Sequence, residues 1–531
     1  MKKLSLLFII FCIQFSFSQE HAWVYFKDKP DTAIFLENPL KMLTQKALDR
    51  RTRQNISLDA KDIPISEAYL NTIATSLGIT IKAKSKWLNA LHIFGSEQDI
   101  NSLLNLSFVD HIEFAANDLN ASPPIKKYKK NKFEQLSDFN YGGSANQIEM
   151  LKGDVLHQQD YTGSGITIAV MDGGFPKVNT LEAFKRMRDR NLIKGGYDFV
   201  QRNSNFYTGI SHGTSVLSTM AGFVDGQLIG TAPDADYYLF ITEDGQNETP
   251  LEESLWVEAA EKADSLGVDI INTSLGYNTF DDAKYDYNYA DMNGTTAFIS
   301  RGANLAFTRG MLIVVSAGNE GVGPWHYIAA PADAANVLSV GAVDENNSIA
   351  DFSSYGPTAD GRVKPDVTAK GRTTTIVNGA GAVVTGNGTS FASPVICGVI
   401  ACLWQANPNK TNIALVQAIK ESAHLFTNPT DQEGFGIPNF ETALKTLPVA
   451  DFSTINFQLY PNPFQDQLQF VFTDTEAIVT VSIYSILGKK FLIERLTSLK
   501  NTIDTKQLPK GLYILHIVQN KRSRTIKIIK S

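Results

Sequence analysis

Five short apolar runs constrain this fold more than any other feature of the chain. They are GITIAVMD (165–172), ADYYLFI (235–241), VDIINTSLG (268–276), MLIVVSAGNEG (311–321) and NVLSVGAVD (336–344). Each is rich in Val and Ile, and each closes on a glycine or a polar turn. Runs of this kind, separated by stretches long enough for helices, predict a parallel sheet covered on both faces. In such sheets ligands collect at the carboxyl ends of the strands. Asp172, Ser274 to Gly276 and Asn319 each follow a predicted strand directly, so they are expected along one rim.

The rest of the chain divides around this α/β core. A length of 531 residues suits two to four domains, and 43% hydrophobic with 19% charged residues is globular composition. Residues 1–18 read as a signal peptide. Lys2 and Lys3 precede an apolar run from Leu4 to Phe17, and Ser16 and Ser18 form a small-residue cleavage site before Gln19. Cys12 follows the bulky Phe11 inside that run, which does not suit a lipid anchor. Residues 19–118 alternate strand and helix signals in the manner of a ferredoxin-like α/β sandwich. Residues 119–139 form a basic, proline-containing linker, exposed and cuttable, in which KKYKKNK (126–132) reads as solvated rather than as a polyanion site. The central domain is assigned to 140–447. In 448–531 the alternating runs LQFVFTD, VTVSIYSILG, YILHIVQ and TIKIIK predict an antiparallel β-sandwich.

Charge and cysteine content exclude several classes. A net charge of −7 leaves no electrostatic footprint for nucleic acid. No run after the signal segment reaches the roughly 18 uncharged apolar residues of a membrane span, so no transmembrane anchor is expected. Cys397 and Cys402 lie on one predicted helix, roughly 140° apart around its axis, and cannot pair there. An exported chain without a disulfide framework must draw its stability from core size or bound ions.

Three strings carry the chemistry: AVMDGG around Asp172, SHGTSVLS around His212 and GNGTSFASP around Ser390. A serine hydroxyl becomes a nucleophile when a neutral imidazole takes its proton and a carboxylate fixes the imidazole tautomer. Asp172 ends an apolar strand, His212 starts a helix, and Ser390 opens a long apolar helix after a glycine-rich turn. Backbone N–H groups at that helix start face a developing oxyanion, and Pro394 is expected within its first turn, where proline is tolerated. Asn319 in SAGNEG can donate a side-chain amide to the same oxyanion. Ser274, Leu275 and Gly276 form a strand end able to pair with an extended peptide. Singly, Asp172 reads as a turn residue, His212 as a capping histidine and Ser390 as an N-cap. Jointly, in the order Asp, His, Ser, they form a constellation.

On these strings, residues about 140–447 resemble the subtilisin-type serine proteases, the subtilases. TGSGITIAVMDGGF, SHGTSVLSTMAG, VDIINTSLG, VVSAGNEG, FSSYGPTADGRVKPDV and GTSFASPVICG all carry the likeness. The resemblance implies a secreted serine endopeptidase made as a zymogen, with Asp172, His212 and Ser390 as triad and Asn319 as oxyanion donor. Ser274 to Gly276 would hold the substrate, a protein or peptide, and no cofactor would be required for the chemistry. Gly173 departs from the pattern, since many subtilases have Ser or Thr after the aspartate; a hydrogen bond to Asp172 is then missing or supplied elsewhere. Residues 20–118 are similar to subtilase propeptides, intramolecular inhibitors that leave by autoprocessing, here expected within 119–140. LYPNPF (459–464), VSIYSILGKK, GLYIL and the final KIIK resemble the sorting domain read by the type IX secretion machinery. That implies export through the periplasm of a Gram-negative bacterium to the surface or medium.

Three further readings stay open. FDDAKYDYNYADMNG (280–294) clusters Asp281, Asp282, Asp286, Asp291 and Asn293, hard oxygen ligands near a glycine that suit a structural calcium ion. A solvated acidic loop is the better-supported alternative, because no complete ligand spacing is present. Glu320, beside Asn319, is placed to attract a basic substrate residue. A non-catalytic surface module on a protease fold is the rival to an enzyme, and every member of the constellation is present to argue against it.

Overall fold

The computed structural model describes residues 19–116, 139–447, 457–472, 479–485, 489–497, 501–519 and 522–531. The signal segment and nearly all of the basic linker lie outside them. The chain forms two compact units, residues 1–447 and 448–531.

The first unit opens with a four-stranded antiparallel sheet. Its strands are β1 (Gln19–Phe26), β2 (Thr80–Ser85), β3 (Ala90–Ser96) and β4 (Val109–Phe114), in the order β2-β3-β1-β4. Helices α2 (Glu67–Ala74) and α3 (Glu97–Ser102) complete the β-α-β-β-α-β frame expected of 19–118. Alternation along β1 divides its side chains between two cores. Ala22, Val24 and Phe26 pack inside this domain, while Trp23 and Tyr25 join the core of the central domain. Between β1 and α2 lies an insertion with no counterpart in the sequence reading, carrying helix α1 (Gln45–Arg53).

The central sheet has seven parallel strands: β5 (Thr167–Asp172), β6 (Ile193–Asp198), β7 (Asp236–Ile241), β8 (Ile270–Thr273), β9 (Leu312–Ser316), β10 (Leu338–Val343) and β11 (Val367–Lys370). Their order is β11-β10-β9-β8-β5-β7-β6. Every residue of β5 is buried. Ile168 and Val170 face one layer with α4 (His212–Ala221) and α7 (Thr389–Ala406), whereas Ala169 and Met171 face the other with α5 (Leu251–Leu266) and α6 (Phe298–Thr308). This two-sided burial is why the runs read as nearly unbroken apolar stretches. The chain adds β6 and β7 on one side of β5, then crosses to β8 on the other. The crevice at this switch of direction is where doubly wound sheets place ligands.

The expectation that no later run reaches the length of a span needs correcting: among the described residues, α7 alone is long and apolar enough to cross a membrane, and 89% of it is buried inside the protein. It is the central core helix. Cys397 and Cys402 on it are both free and buried.

The second unit contains β12 (Phe457–Tyr460), β13 (Gln467–Phe472), β14 (Val479–Ser485), β15 (Lys490–Leu496), β16 (Thr502–Asp504), β17 (Gly511–Gln519) and β18 (Arg522–Lys530). They form antiparallel sheets ordered β12-β13-β16 and β15-β14-β17-β18 around a core that includes Phe464, Phe470, Ile483 and Leu515.

Candidate active site

Asp172 is the last residue of β5 and is fully buried. Its Oδ1 accepts the Gly173 backbone N–H at 2.8 Å, so the main chain supplies a hydrogen bond at the position where the sequence pattern is irregular. A side chain at 173 would collide with Ile210, whose Cδ1 lies 2.7 Å from the Cβ position. Ile210 therefore fills the space a serine or threonine would take.

His212 is the first residue of α4, and its Nδ1 lies 2.9 and 3.0 Å from the two carboxylate oxygens of Asp172. The charge of Asp172 raises the imidazole above its ordinary range, against the opposing effect of burial. Gly213 makes this approach sterically feasible. A Cβ there would stand 2.5 Å from the Gly174 carbonyl oxygen and 2.9 Å from Asp172 Cβ.

Ser390 is the second residue of α7, after Gly388 with φ +146°. Its hydroxyl donates to the Ser274 carbonyl at 3.3 Å, and no hydrogen bond joins it to His212. The sequence reading placed Pro394 in the first helical turn; it is the sixth residue of α7 and lies inside the helix. Having no N–H, it leaves the carbonyl of Ser390 without its helical partner. The Ser274 hydroxyl donates to that carbonyl at 2.9 Å instead. Ser274 in turn accepts from Asn272 Nδ2 at 3.2 Å, and Asn272 Oδ1 accepts from the Ser393 hydroxyl at 3.1 Å. This buried relay pins the end of β8 to the start of α7. The Ser274 side chain thus ties β8 to α7, and Leu275 and Gly276 beyond it are more exposed.

Asn319 lies on the loop after β9 and is exposed. Its Oδ1 accepts the Thr389 N–H at 2.9 Å and the Thr389 hydroxyl at 3.1 Å. That orientation leaves Nδ2 as an unengaged donor beside the start of α7, where the first helical N–H groups are also without intrahelical partners. Glu320 is exposed on the same loop, its N–H donating to Ser354 Oγ at 2.9 Å.

The residues suggested for calcium do not converge. Asp281 accepts from Glu248 N–H, Asp282 from Lys284 N–H, Asp286 from Phe280 N–H and Asp291 from Asn288. Asn293 Oδ1 accepts from Thr295 and Thr296. Asp282, Asp286, Asp291 and Asn293 serve local turns while Asp281 holds the segment of Glu248, so these oxygens are not gathered at one point. Among the described residues a different acidic group, Glu243, Glu248 and Glu252, holds its oxygens within 4.8 Å of one another. Sequence reasoning missed it, although Glu243 follows β7 by two residues and the strand-end rule could have found it.

Comparison with known proteins agrees with this geometry. The model of the Subtilase family matches residues 163–441. A Peptidase S8 propeptide domain of Bacteroidota matches 21–134, and a Secretion system C-terminal sorting domain matches 458–531. M-protease of Shouchella clausii (strain KSM-K16) is 30% identical over 299 residues, covering 56% of this chain and 69% of that protein. Subtilisin NAT of Bacillus subtilis subsp. natto is 31% identical, covering 56% and 70%. The solved Epidermin Leader Peptide Processing Serine Protease (EpiP) from Staphylococcus aureus shares the fold, with TM-score 0.54 at 15% identity, over 81% of this chain and 99% of its own.

Proposed function

The chain belongs to the subtilase family and is a serine-type endopeptidase, and from that premise we propose that Asp172, His212 and Ser390 are its triad and Asn319 its oxyanion donor. The observation that carries this reading is the paired contact of His212 Nδ1 with the buried Asp172 carboxylate, which leaves Nε2 free to accept a proton. Ser390 Oγ attacks the scissile carbonyl while His212 takes its proton. Asp172 holds the tautomer and supports the imidazolium. The oxyanion accepts from Asn319 Nδ2 and the Ser390 N–H, the amine leaves with the proton from His212, and water hydrolyses the acyl-enzyme by the reverse sequence. On this reading a χ1 rotation releases the Ser390 hydroxyl from the Ser274 carbonyl so that it can bond His212. A substrate N–H that pairs with the Ser274 carbonyl would compete for that acceptor and favour the rotation.

The propeptide domain packs on the central domain and supports synthesis as a zymogen, activated by cleavage within 119–140. The sorting domain marks a secreted or cell-surface protein handled by type IX secretion. Passage through the periplasm and removal of the sorting domain complete the proposed route.

Labelling by a fluorophosphonate probe tests the assignment. Processed wild-type protein should label at Ser390 and the Ser390→Ala variant should not. Processed protein that never labels would contradict it.

A further inference from the structure

A cavity of about 480 Å³ adjoins the triad, lined in part by Gly173, the residue after Asp172, and by Ile210, two residues before His212. Its remaining lining includes Asp198, Glu243 and Asp244, and no lysine, arginine or histidine. The three acids come from the carboxyl ends of β6 and β7, on the same rim as the triad.

Asp244 accepts from the Gln246 N–H at 3.2 Å and from Asn247 Nδ2 at 2.9 Å, both uncharged donors, and no cationic side chain lines the cavity to balance the other two acids. Asp198 is only 1% exposed, its one side-chain hydrogen bond is to the Gln201 N–H at 2.8 Å, and it lines the cavity. Glu243 has oxygens within 4.8 Å of those of Glu248 and Glu252, with the Tyr277 hydroxyl as its hydrogen-bond donor. Burial, reinforced by the charges of Glu248, Asp172 and Asp244, pushes Glu243 up to about 8 against the effect of Tyr277. A cation entering the cavity relieves this repulsion.

We propose that the cavity is a specificity pocket for a lysine or arginine side chain of the substrate, read by Asp198, Glu243 and Asp244. The chain carries a matching ligand. The linker between propeptide and central domain holds five lysines in seven residues, Lys126, Lys127, Lys129, Lys130 and Lys132. It is tethered to the enzyme and complementary in charge to the pocket. The first substrate of the pocket is therefore the linker, and later substrates carry a basic residue at the same distance from the scissile bond. This deepens the proteolytic reading and presupposes it.

Processed wild-type enzyme is profiled on a peptide library, then on a peptide pair that differs only by Lys or Gln at the preferred position. A basic residue should dominate one position near the cut, with a kcat/KM ratio of Lys to Gln peptide of at least tenfold. The ratio should collapse toward unity in Glu243→Gln/Asp244→Asn and persist in Glu243→Asp, and processing of the double variant should shift away from 126–132. Enzyme that takes the fluorophosphonate probe but shows no basic preference, or a double variant that keeps the wild-type ratio, overturns the pocket assignment alone. Enzyme that takes no probe overturns the proteolytic mechanism with it.

Discussion

Replacing Arg50 by methionine should loosen the propeptide insertion far from the active site. Arg50 and Arg51, at 0% and 2% side-chain exposure, enter the central domain together with Asp62 and meet the fully buried Asp264 near the end of α5. Arg50 donates to the Val268 carbonyl, to Asp264 Oδ1 and, at 3.3 Å, to the Arg309 carbonyl, while Arg51 bridges Asp62 and Asp264 at 2.8 Å each. Burial alone would raise Asp264, and the two arginines overcome it and hold the carboxylate below its ordinary range. Removing one partner of a fully buried ion cluster costs about 3–5 kcal/mol, because the remaining charge is left undercompensated. At about 1.4 kcal/mol per tenfold, opening of the insertion becomes about a hundredfold to a few thousandfold more frequent. Arg53 on the same helix faces Asp269 at 3.6 Å but is 43% exposed, so Arg53→Ala should cost under about 1 kcal/mol. Native-state hydrogen exchange of residues 44–56, in a Ser390→Ala background that prevents self-cleavage, reads the opening free energy directly. Arg50→Met and Arg53→Ala agreeing within about 1 kcal/mol would refute the argument that burial sets the value of this cluster.

Other outcomes follow from the same geometry. Asn319→Ala should lower kcat by about 10²–10³ with little change in KM; Asn319→Asp keeps the acceptor for Thr389 N–H, so an equal loss in both variants assigns the effect to the missing donor. Gly213→Ala forces a methyl group against the Gly174 carbonyl and should slow probe labelling by about 10²-fold through displacement of His212; unchanged labelling would show that α4 tolerates the shift. Docking of the cleaved propeptide should weaken on acidification. His21 is held down to about 4, chiefly by burial, and His92, bonded to it at 2.8 Å, is held well below its ordinary range, chiefly by burial too. The docked state then binds fewer protons than the released one. Docking is full above about pH 6.5 and is lost progressively as pH falls toward the docked-state values, by up to about 1.4 kcal/mol per histidine per pH unit. Glu261, raised by burial, acts in the opposite direction in the carboxylate range. Size-exclusion retention of the propeptide from pH 7.5 to 5 should show the loss, and a flat profile would refute it.

The proposed site residues Asp172, His212, Ser390 and Asn319 stand out in the sequence because each sits at the boundary of one element, where a strand end, a helix start or a glycine turn leaves a local signature. The ferredoxin-like frame was legible from alternation, as β1 shows. Composition could not decide between a calcium site and an acidic loop at 280–294, because it counts oxygens but not the turn N–H groups that bond them. The role of the Ser274 hydroxyl needed the third dimension too, since it answers a carbonyl orphaned by Pro394, 120 positions away along the chain.

The sequence by itself determined the parallel sheet and the order of the proposed reactive residues, which follow from periodicity and short-range turn chemistry acting over a few residues. The three-part plan of propeptide, protease and sorting domain was legible through the resemblance of its motifs to known families. Tertiary structure alone decided the Arg50–Asp264 anchor, the His21–His92 pair and the acidic cavity lined by Gly173 and Ile210. Each joins segments tens to hundreds of residues apart, and their energies arise only when burial removes water from charges that look like ordinary surface residues in the linear chain.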